Sequence, residues 1–342
     1  MSELSITDMI EILILTDKSD THPTSVINLM KERNVPFFRL NTEALMVDYT
    51  FCWFQENGKF PDFYVKENAT GKVIWGHNIK SIWYRKPDFP QVLPYTISDE
   101  IDRHNKVESK QFFLYLMHYL TDIYSIGSHL YDKRANSKML QSKLAVELGM
   151  QIAPTCFSNA KDDVVEFTKG FGDVSLKCLR DHWMKAEDGK VYDLCTQKVP
   201  SSLLASQPEE AFAQTVVFAQ QYIEKQYELR VTVIGPYVIT CKLDSQALTP
   251  ETGSVDWRQG YDYGLKHEMI VTPPTIETFC KEYLSRLQLH FGCFDFIVTP
   301  NNEYVFLECN PNGQWGWIED ECHTSVMSEA MVDCLVNRLP IK

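Results

Sequence analysis

The chain has 342 residues, 44% hydrophobic and 23% charged, enough for two or three domains with shared cores. A net charge of −13 argues against a basic nucleic-acid footprint and leaves any acidic partner to be held by local Lys and Arg. There is no membrane-length apolar run, no signal-like N-terminus and no CxxC pair among ten cysteines, so the expected compartment is the reducing cytoplasm.

The opening reads as strand, helix, strand over 11–15, 24–34 and 35–40, which predicts a small parallel sheet. No GxGxxG accompanies it, so a dinucleotide site has no support there. Short strands follow at 49–54, 63–66 and 73–75, separated by Asn-Gly, Asn-Ala-Thr-Gly and Gly-His-Asn turns. The run Trp83-Tyr84-Arg85-Lys86-Pro87 ends this region. A helix is predicted over 97–120, with Phe112, Phe113, Tyr115 and Tyr119 as a stripe facing a core or a second copy.

A helix over 136–148 opens with Asn136-Ser-Lys138-Met-Leu-Gln141 and stops at Gly149. The strand 173–178 carries Lys177 among Val174, Leu176 and Cys178; a Lys in such surroundings needs an anion. The loop 180–190 follows with a single glycine. Strands over 216–223 and 228–235 read as a linked pair, and 237–243 as a return strand with Lys242 near its end. A long polar connection, 244–266, holds Asp256-Trp257-Arg258, and loops of that length are usually functional or mobile. Helices over 275–290 and 322–339 complete the chain. Cys52, Cys178, Cys241, Cys293 and Cys309 lie in apolar strand-like runs and are expected to be small buried hydrophobes.

The most informative stretch is 291–318. Two runs rich in aromatic and β-branched residues, 294–299 and 303–309, flank Pro300-Asn301-Asn302 and predict a hairpin. A two-residue turn at Asn301-Asn302 makes paired residue numbers sum to about 603, which sets Asp295 opposite Glu308 with Cβ atoms roughly 5 Å apart. Asn310 shares their face because strand side chains alternate. Two readings remain open at this point: exposed acids facing water, or hard oxygen ligands around Mg²⁺.

Asp295 followed by Glu308-Cys-Asn310-Pro311-Asn312-Gly313 resembles the metal-binding end of the ATP-grasp ligases. The longer run Asn310 to Trp315 is similar to the subgroup that matures graspetides of the microviridin type. This resemblance implies an α/β (α+β) ATP-grasp fold, with a pre-ATP-grasp domain at 1–133, a central subdomain at 134–218 and a C-terminal subdomain at 219–342. It implies one or two Mg²⁺ on Asp295, Glu308 and Asn310. Lys138 and Lys177 are expected at the ATP phosphates, Gln220, Gln221, Tyr222 and Ile223 at the adenine, and Glu228 at the ribose. Arg230 and Lys242 would add positive charge around the transferred phosphoryl group. Arg258 would grip the reacting carboxylate and Asp256 would stand near the incoming nucleophile. The loop 180–190 is expected to cover the phosphates, and the Trp-Tyr-Arg-Lys-Pro run resembles the end of the amino-terminal domain.

The implied reaction activates Glu or Asp side chains of a ribosomal precursor peptide as acyl phosphates and joins them to Thr or Ser hydroxyls or Lys amines. The partner is a leader-bearing peptide, and the aromatic stripe suggests a homodimer. Two other readings stand beside it: a ligase that adds free amino acids, and a nucleotide-binding module without turnover.

Overall fold

A computed structural model describes residues 11–92, 98–179, 183–185, 189, 191–193 and 195–341. Four consecutive buried aliphatic residues give the first strand, β1 (Ile12–Thr16), its place inside a sheet. It is followed by α1 (Thr24–Glu32) and β2 (Phe37–Asn41), and β1 and β2 pair in parallel. Then come β3 (Tyr49–Phe54), β4 (Asp62–Glu67) and β5 (Val73–Trp75), which form a separate antiparallel sheet. The strand β6 (Ser81–Tyr84) returns to β1, and α2 (Asp99–Tyr119) leads to β7 (Tyr124–Ile126), so the parallel sheet runs β2-β1-β6-β7.

Ser98 caps α2 by accepting from the Ile101 N–H. Of the predicted helix over 97–120, Ile97 lies outside the described residues. The aromatic stripe splits: Phe113 is buried, Phe112 packs on Phe51 at 4.7 Å, and Tyr115 and Tyr119 are 64% and 45% exposed.

Two short helices, α3 (His129–Ala135) and α4 (Lys138–Glu147), connect to β8 (Gln151–Ile152). A second region holds β9 (Thr155–Ser158), α5 (Lys161–Thr168), β10 (Asp173–Lys177), β11 (Trp183–Lys185), β12 (Val191–Asp193), β13 (Gln197–Pro200), α6 (Ser201–Ser206), α7 (Glu209–Ala213) and β14 (Val217–Gln221). Its sheet, β13-β10-β14-β9, is antiparallel and buries Val174 and Ala219 against Val164, Leu204 and Phe212.

The last region contains β15 (Tyr227–Ile234), β16 (Tyr237–Leu243), β17 (His267–Ile270), α8 (Pro274–Arg286), β18 (Phe291–Val298), β19 (Tyr304–Asn310), α9 (Gly316–Glu321) and α10 (Val326–Asn337). Its sheet has the order β17-β16-β15-β18-β19-β8. The predicted strand pair 216–223 and 228–235 is therefore divided, β14 joining the central sheet and β15 the last one. The predicted helix over 322–339 shortens to α10, and α9 precedes it.

The two faces of the six-stranded sheet differ in chemistry. One packs Leu229, Val231, Phe294, Phe296 and Phe306 against Phe279, Tyr283 and Leu284 of α8. Ring centroids lie 5.4 to 5.8 Å apart across that layer, and edge-to-face pairs of this kind add roughly 0.5–1.5 kcal/mol each beyond area burial. The opposite face is apolar near Ile234 and Phe291 and becomes charged towards Glu228, Arg230 and Asp295. Cys241, Cys293 and Cys309 are buried as expected, Cys52 is half-buried, and Cys178 is exposed because it stands just past the end of β10. Among the described residues no helix is long and apolar enough to cross a membrane.

Candidate active site

The charged face is built on β15, β18 and β19. Asp295 stands directly opposite both Arg230 on β15 and Glu308 on β19. The predicted register is reached by two offsets that cancel. The turn has three residues rather than two: the Thr299 N–H donates to Glu303 O, and Asn302 adopts φ 60°. Pairs nearest the turn therefore sum to 602, as in Val298 with Tyr304. An irregularity between Asp295 and Phe296 adds one residue to β19 and restores the sum of 603 for Asp295 with Glu308 and Cys293 with Asn310.

Each acid already has its own cation. Arg230 donates through Nη1 to both Asp295 oxygens, at 3.1 and 2.9 Å, and through Nη2 to Gln314 O at 3.3 Å. Both side chains are buried. Burial works against the charge on Arg230, and Asp295 more than offsets it. Burial pushes the Asp295 carboxyl up to about 6, with Arg230 opposing and Glu308 reinforcing the rise. Lys138, the first residue of α4, forms an ion pair with Glu308 Oε2. For Glu308, burial would raise the pKa, but Lys138, Lys177 and Arg258 outweigh it and bring it down to about 2. The cations that two facing acids need are thus supplied by the chain itself, as Arg230 and Lys138.

Two carboxylates and the Asn310 amide oxygen on one face nonetheless form a hard donor set of the kind Mg²⁺ takes. Among the described residues no three His, Cys, Asp or Glu side chains are grouped so as to hold a metal, so the third donor of this set is an amide. Asn310 Oδ1 accepts from the Asn312 N–H at 2.9 Å, which fixes the amide and leaves a lone pair. The turn after β19 is gripped from elsewhere. Asn312 Nδ2 donates to the buried Asp132 at 2.7 Å, and Asn312 O accepts from Arg85 Nη1 at 3.0 Å. Arg85, 1% exposed, also pairs with Asp20 at 3.4 Å. Trp315 is buried against His22, Trp83 and Phe291 with ring centroids 4.2, 5.9 and 5.4 Å away. The structure makes Arg85 an ion-paired, buried brace of the Asn-Pro-Asn-Gly turn.

Lys177 ends β10 half-buried, and among the described residues its ammonium has no hydrogen bond or ion pair. Burial lowers its pKa; Glu308 and Asp256 oppose this, while Lys138 and Lys225 add to it. An ammonium in that position is a ready anion receptor. On β14, Gln220 donates to Thr155 Oγ1 at 2.8 Å. The N–H groups of Gln221 and Tyr222 are taken by Pro154 O and Asp173 O at 3.0 and 3.1 Å, so of these three only the Ile223 N–H has no partner among the described residues. Lys198 lies 4.0 Å over the Tyr222 ring. Glu228, on the same face as Arg230, accepts from Lys225 Nζ and Ser245 Oγ, both at 2.8 Å and both on Oε1, which leaves Oε2 to other donors. Lys225 was missed from the sequence, where its spacing of three from Glu228 was the available signal.

Lys242 is not brought to this group. It pairs with Leu229, so its side chain leaves the opposite face, where it lies 4.6 Å from the Tyr227 ring and 3.8 Å from Glu268. Asp256 and Arg258 are a bidentate pair, Nε to Oδ1 at 2.9 Å and Nη2 to Oδ2 at 2.7 Å. Asp256 is buried and also accepts from the Thr196 N–H at 3.1 Å. Burial raises its pKa, and Arg258 outweighs that and holds it low. Trp257 anchors this turn on Trp317, 5.0 Å away. The loop 180–190, expected over the phosphates, lies largely outside the described residues.

No family model and no curated protein matches the sequence. Solved structures do. An RiPP-associated ATP-grasp ligase from Chryseobacterium gregarium, in complex with ADP and a leader and core peptide, is 25% identical, with TM-score 0.87 over 97% of this chain and 98% of that one. The macrocyclase MdnC of Microcystis aeruginosa MRC, bound with the precursor peptide MdnA, is 22% identical, with TM-score 0.79 over 96% and 100%. The macrocyclase MdnB of the same organism is 26% identical, with TM-score 0.73 over 96% and 99%. Agreement in fold over nearly the whole chain, together with two facing acids and an asparagine on the charged face of the sheet, makes the chain similar to the ATP-grasp ligases that mature ribosomal peptides.

Proposed function

We propose that the protein uses ATP and Mg²⁺ to activate Glu or Asp side chains of a ribosomal precursor peptide and closes them onto Thr or Ser hydroxyls or Lys amines as macrocycles. The observation that carries this reading is the likeness, over nearly the whole chain, to a ligase holding ADP, leader and core peptide. Asp295, Glu308 and Asn310 would hold Mg²⁺, which when bound offsets charge on the transferring phosphoryl group.

The chain's own residues do the rest. Lys177 has no anion of its own and suits the phosphates; Lys138 reaches the same oxygens by releasing Glu308. Glu228 offers an unused carboxylate oxygen to ribose hydroxyls, and the Ile223 N–H faces the adenine edge with Tyr222 as a wall. A peptide carboxylate attacks the terminal phosphorus of ATP and ADP leaves; the hydroxyl or amine then attacks the carbonyl carbon of the acyl phosphate, loses its proton and expels free phosphate. Arg258 orients the carboxylate, while Asp256, held low in pKa, fixes Arg258 and accepts hydrogen bonds near the nucleophile. Arg230 keeps Asp295 charged and aimed. Lys242, on the far face, has no part.

Buried thiols outside any disulfide, Cys241, Cys293 and Cys309, suit a cytoplasmic setting, and exposed Tyr115 and Tyr119 suit a homodimer. The test is mass spectrometry of the peptide encoded beside this gene, incubated with protein, ATP and Mg²⁺. Loss of one water per ring is expected. A gain equal to an added residue would favour a free-amino-acid ligase, and ATP binding with no ADP formed would favour a module without turnover.

A further inference from the structure

The outer edge of β19 is paired by β8 only at Val305 and Phe306. Beyond them Glu308, Cys309 and Asn310 run along an edge with no neighbouring strand among the described residues. A single buried side chain takes that place. Gln141 Oε1 accepts from the Cys309 N–H at 3.1 Å, and Gln141 Nε2 donates to Cys309 O at 2.8 Å. The second Nε2 proton goes to Ala135 O at the end of α3, at 2.7 Å. One amide thus closes a two-bond ring on one residue of the strand, as a paired strand residue would, and ties it to the helix pair behind.

We infer that Gln141 is a positioning residue that sets the direction of the Glu308 and Asn310 side chains and thereby the affinity of the site for its metal; this rests on the reading given above. Cys309 points into the core behind the sheet, so its two neighbours point into the site, and fixing its backbone fixes theirs. Lys138 lies three residues earlier on the same helix face and grips the Glu308 side chain, so α4 meets β19 through backbone and carboxylate together. Groups that orient metal ligands from behind typically change metal affinity by 10–100-fold when removed.

The experiment is a Mn²⁺ titration of full-length protein with saturating ADP, free Mn²⁺ being read by electron paramagnetic resonance. Gln141→Met, close in size and without donors or acceptors, is expected to weaken Mn²⁺ at least tenfold while ADP affinity without metal stays within twofold. Leu140→Ala, which trims the same helix where it packs on the core and keeps the Gln141 amide, is expected to lower the melting temperature and leave Mn²⁺ affinity unchanged. Equal Mn²⁺ affinity in Gln141→Met and the starting protein overturns the inference, as does an equal loss in Leu140→Ala. Should Gln141→Met not fold, Gln141→Glu decides: it keeps the acceptor for the Cys309 N–H, loses both donors, and must still bind Mn²⁺ several-fold more weakly. If the unaltered protein binds no Mn²⁺ with ADP present, the ligase reading itself fails, a result distinct from equality between variants.

Discussion

Gly313→Ala tests how tightly the turn after β19 is fitted to the strand beneath it. A Cβ on residue 313 would stand inside contact distance of Cys293 Cβ, 2.5 Å from its Sγ and 2.9 Å from Arg230 Nη2. Cys293 is fully buried mid-strand, and Arg230 is committed to Asp295 and Gln314, so neither yields by a simple rotamer change. Overpacking of this kind costs roughly 1–3 kcal/mol. At about 2–4 °C per kcal/mol for a chain with large domains, the melting temperature should fall by roughly 2–12 °C. The shift is read by differential scanning calorimetry with and without ADP and Mg²⁺, and the stabilisation conferred by ligand should shrink as well. Cys293→Gly removes the atoms being struck. In that background the Gly313→Ala penalty should drop by about 1 kcal/mol or more, a coupling typical of residues in contact. Melting unchanged in Gly313→Ala, or equal penalties in both backgrounds, would refute the steric account.

Arg230→Leu strands the Asp295 carboxylate in a buried position, and loss of one partner of such a pair costs roughly 3–5 kcal/mol; chemical denaturation measures it, and a loss below about 1 kcal/mol would contradict the burial described. Lys177→Met removes a half-buried ammonium with no ion pair among the described residues, so the ligand-free protein should melt at or above its original temperature while ADP binding, read by calorimetric titration, weakens about tenfold or more. A drop in unliganded stability instead would show that Lys177 serves the fold.

Local chemistry in the sequence was enough to find the hairpin of β18 and β19, because its turn residues and β-branched runs carry their own signal. Its register came out correct at Asp295 and Glu308 only because a longer turn and a later irregularity compensate, and neither is written in single residues. Lys242 shows the reverse. The turn at Gly235-Pro236 pairs Ile234 with Tyr237, and counting back places Lys242 beside Leu229, on the helix-covered face. The same counting applied to that turn would have separated it from Arg230. Gln141 and Arg85 were beyond such counting, since each acts on a backbone 168 or 227 residues away. Contacts that distant depend on how separate sheets and helices come together, which no local period encodes.

Asn312 joins parts of the chain that are far apart in sequence: Arg85 reaches it from the end of β6, and Asp132 from α3. Cutting away the first hundred or so residues would therefore strip the turn of one support and expose Trp315 and its apolar neighbours to water. The amino-terminal sheet cannot be treated as a detachable accessory for a recombinant fragment or a domain exchange. A swap between related ligases would have to carry the Arg85 strand and the Asn-Pro-Asn-Gly turn as one inherited unit.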